Sequence, residues 1–262
     1  MPTRHIGIVG CSAEGAALCY RTICLAGEKM IGRSHAHPEV SLHTNSFADY
    51  VAHLEAGNGA GVAGLMLDSA EKLARAGADF LVCPDNTIHA ALPLVLPQSP
   101  LPWLHIAEVV AAEARLRGFR RVGVTGTAWL VRSDVYPEKL AAMGIECVRP
   151  VEKDREETSR IIMDELVRGQ FRPESTAVLE GVVQHLAATG CDAVVLGCTE
   201  LPLVTIAPCR RSIRRACSHV RHCVTRSCKR ASRPASGGRH SRRMIRPGGP
   251  ADGRRSRHVL SR

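Results

Sequence analysis

One arrangement occurs twice in this chain and restricts what it can fold into. Leu73-Ala-Arg-Ala-Gly-Ala-Asp79 runs directly into Phe80-Leu-Val-Cys-Pro-Asp-Asn-Thr-Ile-His89, and Leu186-Ala-Ala-Thr-Gly-Cys-Asp192 runs into Ala193-Val-Val-Leu-Gly-Cys-Thr-Glu-Leu-Pro202. Each is a helix ending followed by a short apolar run, rich in β-branched residues, that reaches a cysteine and breaks into small polar residues. A buried parallel strand reads this way where its C-terminal end opens into a loop. Gly7-Ile-Val-Gly10 and Gly123-Val-Thr-Gly126 lie 116 positions apart, and Cys83 and Cys198 lie 115 apart, so the duplication spans most of residues 5–205. A period this long marks a duplicated domain, since solenoid units are far shorter.

Strands alternate with helical patterns along the same stretch. Strands are expected at 5–10, 40–46, 79–83, 121–126, 145–149 and 192–198, and helices at 13–26, 62–73, 106–117, 134–143, 155–168 and 174–189. Ser12 is placed to cap the first helix and Pro173 suits the first turn of the last; residues 93–102 form a proline-punctuated connector. The expected fold class is α/β: two similar lobes with parallel sheets flanked by helices, related by internal duplication, with the active site in the cleft between them. Ligands of open α/β sheets bind outside the carboxyl ends of the strands. Duplicated units would thus bring Cys83 and Cys198 to face each other across one cleft. The expected divisions are a first lobe over 1–104, a second over 105–205, and a tail over 206–262.

Charge sets the tail apart. Residues 206–262 hold 17 Lys and Arg and a single acid, Asp252, so they carry +16 while residues 1–205 carry −6, giving +10 for the whole chain. The tail has no aromatic residue and no sustained helical or strand period, which resembles disordered or non-native sequence. Three readings compete: an arm for nucleic acid or anionic membrane, a metal knuckle from Cys217, His219, His222 and Cys223, or a stretch translated out of frame. The first lacks Lys-rich clusters and interleaved aromatics, and the second matches no usual zinc spacing. The abrupt change after Thr205, where one more strand and helix are due, favours the third. The expected partners are therefore a small molecule, with no specific nucleic acid and no membrane.

No secretory signal or membrane-spanning run is evident, and seven cysteines before residue 206 form no secreted-type framework, so reduced thiols and a cytoplasmic location are expected. Cys19, Cys24, Cys147 and Cys191 read as buried small hydrophobes. Neither a P-loop nor a spaced Gly-x-Gly-x-x-Gly fingerprint is present.

Ile6-Gly-Ile-Val-Gly10, Asn86-Thr-Ile-His89, Leu196-Gly-Cys-Thr-Glu200 and the stretch from Asp154 to Gln170 together resemble the cofactor-independent aspartate/glutamate (and hydantoin) racemase superfamily over about residues 4–205. The resemblance implies racemisation of a small acidic amino acid by two-base proton transfer, with no cofactor, no metal and, were the C-terminus intact, a homodimeric assembly. It assigns catalysis to Cys83 and Cys198, one thiol as thiolate taking the α-hydrogen and the other returning a proton to the opposite face. Such a pair titrates as a unit. Asn86, Thr87 and Thr199 are then implied to hold the substrate's α-carboxylate and amino group, with Ser12 as a further candidate. For Ser12 the plain reading is an N-cap, and for Asn86 and Thr87 an Asx-type turn. Asn45, with Thr44 and Ser46, ends the second strand on the active edge. His89 is a candidate for orienting Cys83, and Glu200 for a supporting contact. A dicarboxylic substrate needs a cation; Lys153, Arg155 and Arg168 lie near helix ends that could face the opening, and Arg168 is the preferred candidate.

The chain departs from the family pattern in three places. Cys11-Ser-Ala-Glu14 follows Gly10; Pro84 and Asp85 intervene between Cys83 and Asn86, so that either Cys83 or Asp85 faces the cleft; and residues 206–262 lack the expected closing strand and helix. Related isomerases or decarboxylases on the same scaffold, and an inactive amino-acid-binding pseudo-enzyme, are the alternative functions.

Overall fold

A computed structural model of the chain describes residues 4–204. The tail and all three readings of it lie outside the described residues. The strands are β1 (Ile6–Gly10), β2 (Val40–Thr44), β3 (Phe80–Val82), β4 (Trp103–Leu104), β5 (Arg121–Thr125), β6 (Glu146–Val148) and β7 (Ala193–Leu196). Between them run α1 (Ala13–Ile31), α2 (Phe47–Glu55), α3 (Gly59–Arg75), α4 (Leu92–Val95), α5 (Ile106–Leu116), α6 (Ala128–Arg132), α7 (Pro137–Ala141), α8 (Glu152–Asp164) and α9 (Pro173–Ala188), with 3₁₀ turns at Thr87–Ala91, Leu166–Arg168 and Leu201–Leu203.

Two all-parallel sheets result, ordered β2-β1-β3-β4 and β6-β5-β7. The first three strands of one repeat the arrangement of the other, so the fold is the expected two-lobed α/β form. Strand alternation divides each core into two layers. Ile6 and Ile8 of β1 face Cys19 and Ile23 of α1, whereas Val9 faces Met66, Ala70 and Leu73 of α3. Likewise Ala193 and Val195 of β7 join the layer over α5, and Val194 and Leu196 join that over α8 and α9. Paired aspartates pin the opposite ends of the sheets: Asp79 Oδ2 accepts from the His5 amide at 2.6 Å, and Asp192 Oδ2 from those of Arg120 and Arg121 at 2.6 and 3.0 Å.

Three segments differ from expectation. Residues 47–55 form α2, whose Phe47, Tyr50, Val51 and Leu54 stand at helical spacing; it is separated from α3 by Gly57, at φ 63°, and by the capping Asn58, whose side chain accepts from the Gly61 amide. The helix expected at 134–143 is the shorter α7, and α6 precedes it where no helix was expected; Ser133 leaves the helical region at ψ 169° between them and Pro137 restarts the helix at its first turn. The helix expected through 168 ends at Asp164, and a 3₁₀ turn then closes at Gly169, φ 70°.

Candidate active site

The C-terminal ends of β1, β3, β5 and β7 open onto one cavity of about 430 Å³, part of it open solvent. From the first lobe come Cys11, Ser12, Asp85 and Thr87, and from the second Thr127, Gly197, Cys198 and Glu200. Phe47, Val51 and Leu54 of α2, Trp129 of α6, and Ile162, Met163 and Val167 form its apolar wall.

Cys198 is half-buried, and its Sγ–H donates to Glu200 Oε2 at 2.8 Å. Burial raises its pKa first, then the charge of Glu200 and the hydrogen bond to it, with Asp85 adding to the rise. The same Oε2 accepts from Thr199 Oγ1 at 2.9 Å. Because Thr199 spends its one proton there, the 3.4 Å contact between Ser12 Oγ and Thr199 Oγ1 has Ser12 as donor. A chain of hydroxyls thus runs from Ser12 of the first lobe to the carboxylate beside the thiol. Glu200 Oε1 is buried without a hydrogen-bond partner among the described residues. Gly15 permits this approach of the lobes: a Cβ there would lie 2.6 Å from Thr199 Oγ1 and 2.9 Å from Ser12 Oγ.

On the first lobe, Cys83 is 4% exposed, packs with Val9, Tyr50 and Leu81, and donates to the Asp85 carbonyl at 3.6 Å. It is not among the cavity-lining residues, whereas Asp85 is. Asp85 Oδ1 accepts from the Ile88 amide at 3.2 Å. Burial outweighs that donor and pushes its pKa up to about 6. Cys11, next to Asp85, is raised by burial and by the Asp85 charge. His89 holds the loop from behind, Nδ1 donating to the Asp85 carbonyl at 2.6 Å and Nε2 accepting from the Ile106 amide at 3.3 Å. The second bond requires a neutral ring, and burial with His105 nearby lowers its pKa to about 3.

The other expected residues divide. Thr87 lines the cavity, its hydroxyl oxygen 2.9 Å from that of Thr127. Ser12 lines it and also caps α1, accepting from the Gly15 amide at 3.2 Å. Asn86 is 4% exposed and accepts the Tyr136 hydroxyl at 2.6 Å. Asn45 ties β2 to α3 through the Leu65 carbonyl at 2.9 Å and Ser69 Oγ at 3.3 Å. Arg168 follows the cavity-lining Val167 but is not itself among the lining residues. Thr127 escaped the sequence reading, although the duplication pointed to it: it sits 115 positions after Ser12 and caps its helix the same way, accepting from the Leu130 amide. Among the described residues no group of three or more His, Cys, Asp or Glu side chains is placed to hold a metal ion, and no helix is long and apolar enough to cross a membrane.

The sequence model of the family described as Asp/Glu/Hydantoin racemase matches residues 8–219. The chain belongs to that family. It is similar to a candidate Asp/Glu racemase from Yersinia pestis (26% identity, TM-score 0.76, covering 86% of this chain and 99% of that one). It is also similar to an aspartate racemase homologue from Pyrococcus horikoshii OT3 (26% identity, TM-score 0.68, covering 88% of this chain and all of that one). A further relative is the broad specificity amino-acid racemase RacX of Bacillus subtilis strain 168, 25% identical over 139 residues, which are 53% of this chain and 60% of RacX. The chain therefore spans less than two thirds of that relative's length.

Proposed function

We propose that this chain interconverts the enantiomers of a small amino acid by two-base proton transfer at the α-carbon, without pyridoxal phosphate. Cys198 serves as the second-lobe base, and the loop after β3 supplies its counterpart. The observation that carries this reading is the single cavity receiving proton-carrying groups from both lobes, Cys198 and Glu200 on one side and Asp85 on the other. A planar α-carbanion needs a group on each face, and a duplicated scaffold provides one from each half. The hydroxyls of Ser12, Thr87 and Thr127 are donors and acceptors for the substrate's carboxylate and ammonium. The apolar wall keeps the reacting carbon dry, which strengthens every electrostatic contact made there.

Acidic substrates are supported by the family's description and by Arg168 next to Val167. A second reading, an apolar side chain, is favoured by Phe47, Val51, Leu54, Trp129, Ile162 and Met163, and by the lack of Lys and Arg among the described lining residues. The test is proton NMR in D2O with each enantiomer of aspartate, glutamate, alanine and leucine. A racemase replaces the α-hydrogen of both enantiomers and drives optical rotation to zero. A related decarboxylase or isomerase gives new product resonances, and an amino-acid-binding pseudo-enzyme leaves every α-hydrogen in place.

A further inference from the structure

We propose that the first-lobe proton carrier is the carboxyl group of Asp85, so that the two faces of the substrate carbon meet chemically unlike groups, a carboxylate and a thiol. This rests on the racemase reading above and specifies its second base.

Strand register carries the inference. Gly7 and Gly123 are equivalent glycines of the duplicated first strands; Gly7 pairs with Leu81 in one sheet and Gly123 with Val194 in the other. Counting forward from those partners makes Val82 equivalent to Val195, Cys83 to Leu196, Pro84 to Gly197, Asp85 to Cys198, Asn86 to Thr199 and Thr87 to Glu200. Exposure to the cavity follows this correspondence at every pair but Pro84 and Gly197, of which only the glycine lines it. Asp85 and Cys198 both line it, as do Thr87 and Glu200, whereas Cys83 and Leu196 are core residues outside the lining. Asn86 and Thr199 are 4% and 3% exposed and bonded within the protein. The helix endings agree, because Asp79 and Asp192, which pin equivalent amides, lie 113 positions apart, as do Leu73 and Leu186, and the same interval separates Asp85 from Cys198. The matching cysteines, 115 apart, are two residues out of structural register.

The chemistry balances. In one direction Glu200 Oε2 takes the Sγ–H proton whose hydrogen bond it already accepts, and the resulting Cys198 thiolate takes the α-proton; the C–H pair of electrons stays on the carbon and delocalises into the substrate carboxylate; and the O–H of protonated Asp85 breaks to form the new C–H bond on the opposite face. In the other direction the Asp85 carboxylate takes the proton and the Cys198 S–H supplies one. Solvent exchange resets both groups between turnovers. With a pKa near 6, Asp85 exchanges its proton readily around neutral pH.

The competing role for Asp85 is to cap the 3₁₀ turn through Ile88. Asp85→Asn keeps that acceptor oxygen and cannot carry a proton, so it separates the two roles. The experiment uses the full-length chain in D2O with L- and D-aspartate, and with alanine and leucine if aspartate is inert. Asp85→Asn is expected to lose racemisation by about 100-fold or more while still washing deuterium into one enantiomer through Cys198. Cys198→Ser is expected to retain wash-in of the opposite enantiomer only. Asp85→Cys, a proton carrier again, is expected to regain racemisation without the wild-type pH limb near 6. Racemisation by Asp85→Asn within a few-fold of wild type overturns the assignment, as does equal loss of wash-in from both enantiomers in that variant. Loss of one-sided wash-in in Cys83→Ser, with Asp85→Asn still racemising, transfers the role to Cys83. Wild-type protein that exchanges no α-hydrogen removes the racemase reading itself, a failure seen before any variant is made.

Discussion

Thr87 and Thr127 meet across the junction of the two lobes, their hydroxyl oxygens 2.9 Å apart at the edge of the cavity. Thr127 also accepts from the Leu130 amide at 3.2 Å, so replacing it by Val removes a helix cap as well as the contact between lobes. A double-mutant cycle of Thr87→Val and Thr127→Val isolates the contact, because Thr127→Val loses the cap in both Thr87 backgrounds and the loss cancels. The expected coupling, read from urea denaturation, is about 0.5–1.5 kcal/mol. A coupling near zero means that the lobes are held together elsewhere.

Asp85 and His89 oppose each other in their effect on stability with pH. Asp85 has its pKa raised from 3.8 to about 6, so between those values the folded state binds more protons than the unfolded state and stability falls as pH rises. Asp85→Asn lacks this term. Its stability relative to wild type is expected to improve between pH 4 and pH 7, by up to about 3 kcal/mol. His89 is lowered from 6.5 to about 3, so the unfolded state binds the extra proton and the stability tied to a neutral ring is lost as pH falls below 6.5. The stability gap between wild type and His89→Asn should therefore shrink from pH 7 to pH 4. Denaturation midpoints across that range check both signs, and parallel curves for wild type and the variants contradict them.

Gly197 and Gly181 should respond oppositely to Ala. A Cβ on Gly197 would lie 2.6 Å from the Thr125 carbonyl of the neighbouring strand and would also run into Leu130. The backbone there is fixed by the 2.7 Å bond from the Gly197 amide to the same carbonyl. Gly197→Ala is expected to cost about 1–3 kcal/mol and to displace Cys198. At Gly181, inside α9, no atom lies within 4 Å of the added carbon. Gly181→Ala is expected to stabilise the protein by about 0.5–1 kcal/mol through helix propensity. Thermal melts of the two variants decide it.

Arg168 tests the acidic side chain. If it reads a distal carboxylate, Arg168→Met raises KM for aspartate far more than for alanine and leaves kcat for alanine close to wild type. Equal effects on the two substrates assign the residue no part in specificity and strengthen the apolar reading drawn from Trp129 and Ile162.

The sequence by itself determined the α/β class, the duplication and the loops that open on the cavity, because these depend on local properties: apolar runs of strand length, helix endings at Gly77 and Gly190, and polar residues after each strand. It also held a signal for α2 in the helical spacing of Phe47, Tyr50, Val51 and Leu54, and one for Thr127 in its offset from Ser12. Tertiary structure alone decided which side chain of the Cys83–Thr87 loop reaches the cavity wall. That choice follows from pairing β3 against β1 and β7 against β5, hydrogen bonds between residues more than seventy positions apart. A strand's side chains alternate, and a short loop inherits its register from the strand before it. A matching cysteine two positions out of register is therefore persuasive in the sequence and buried in the fold.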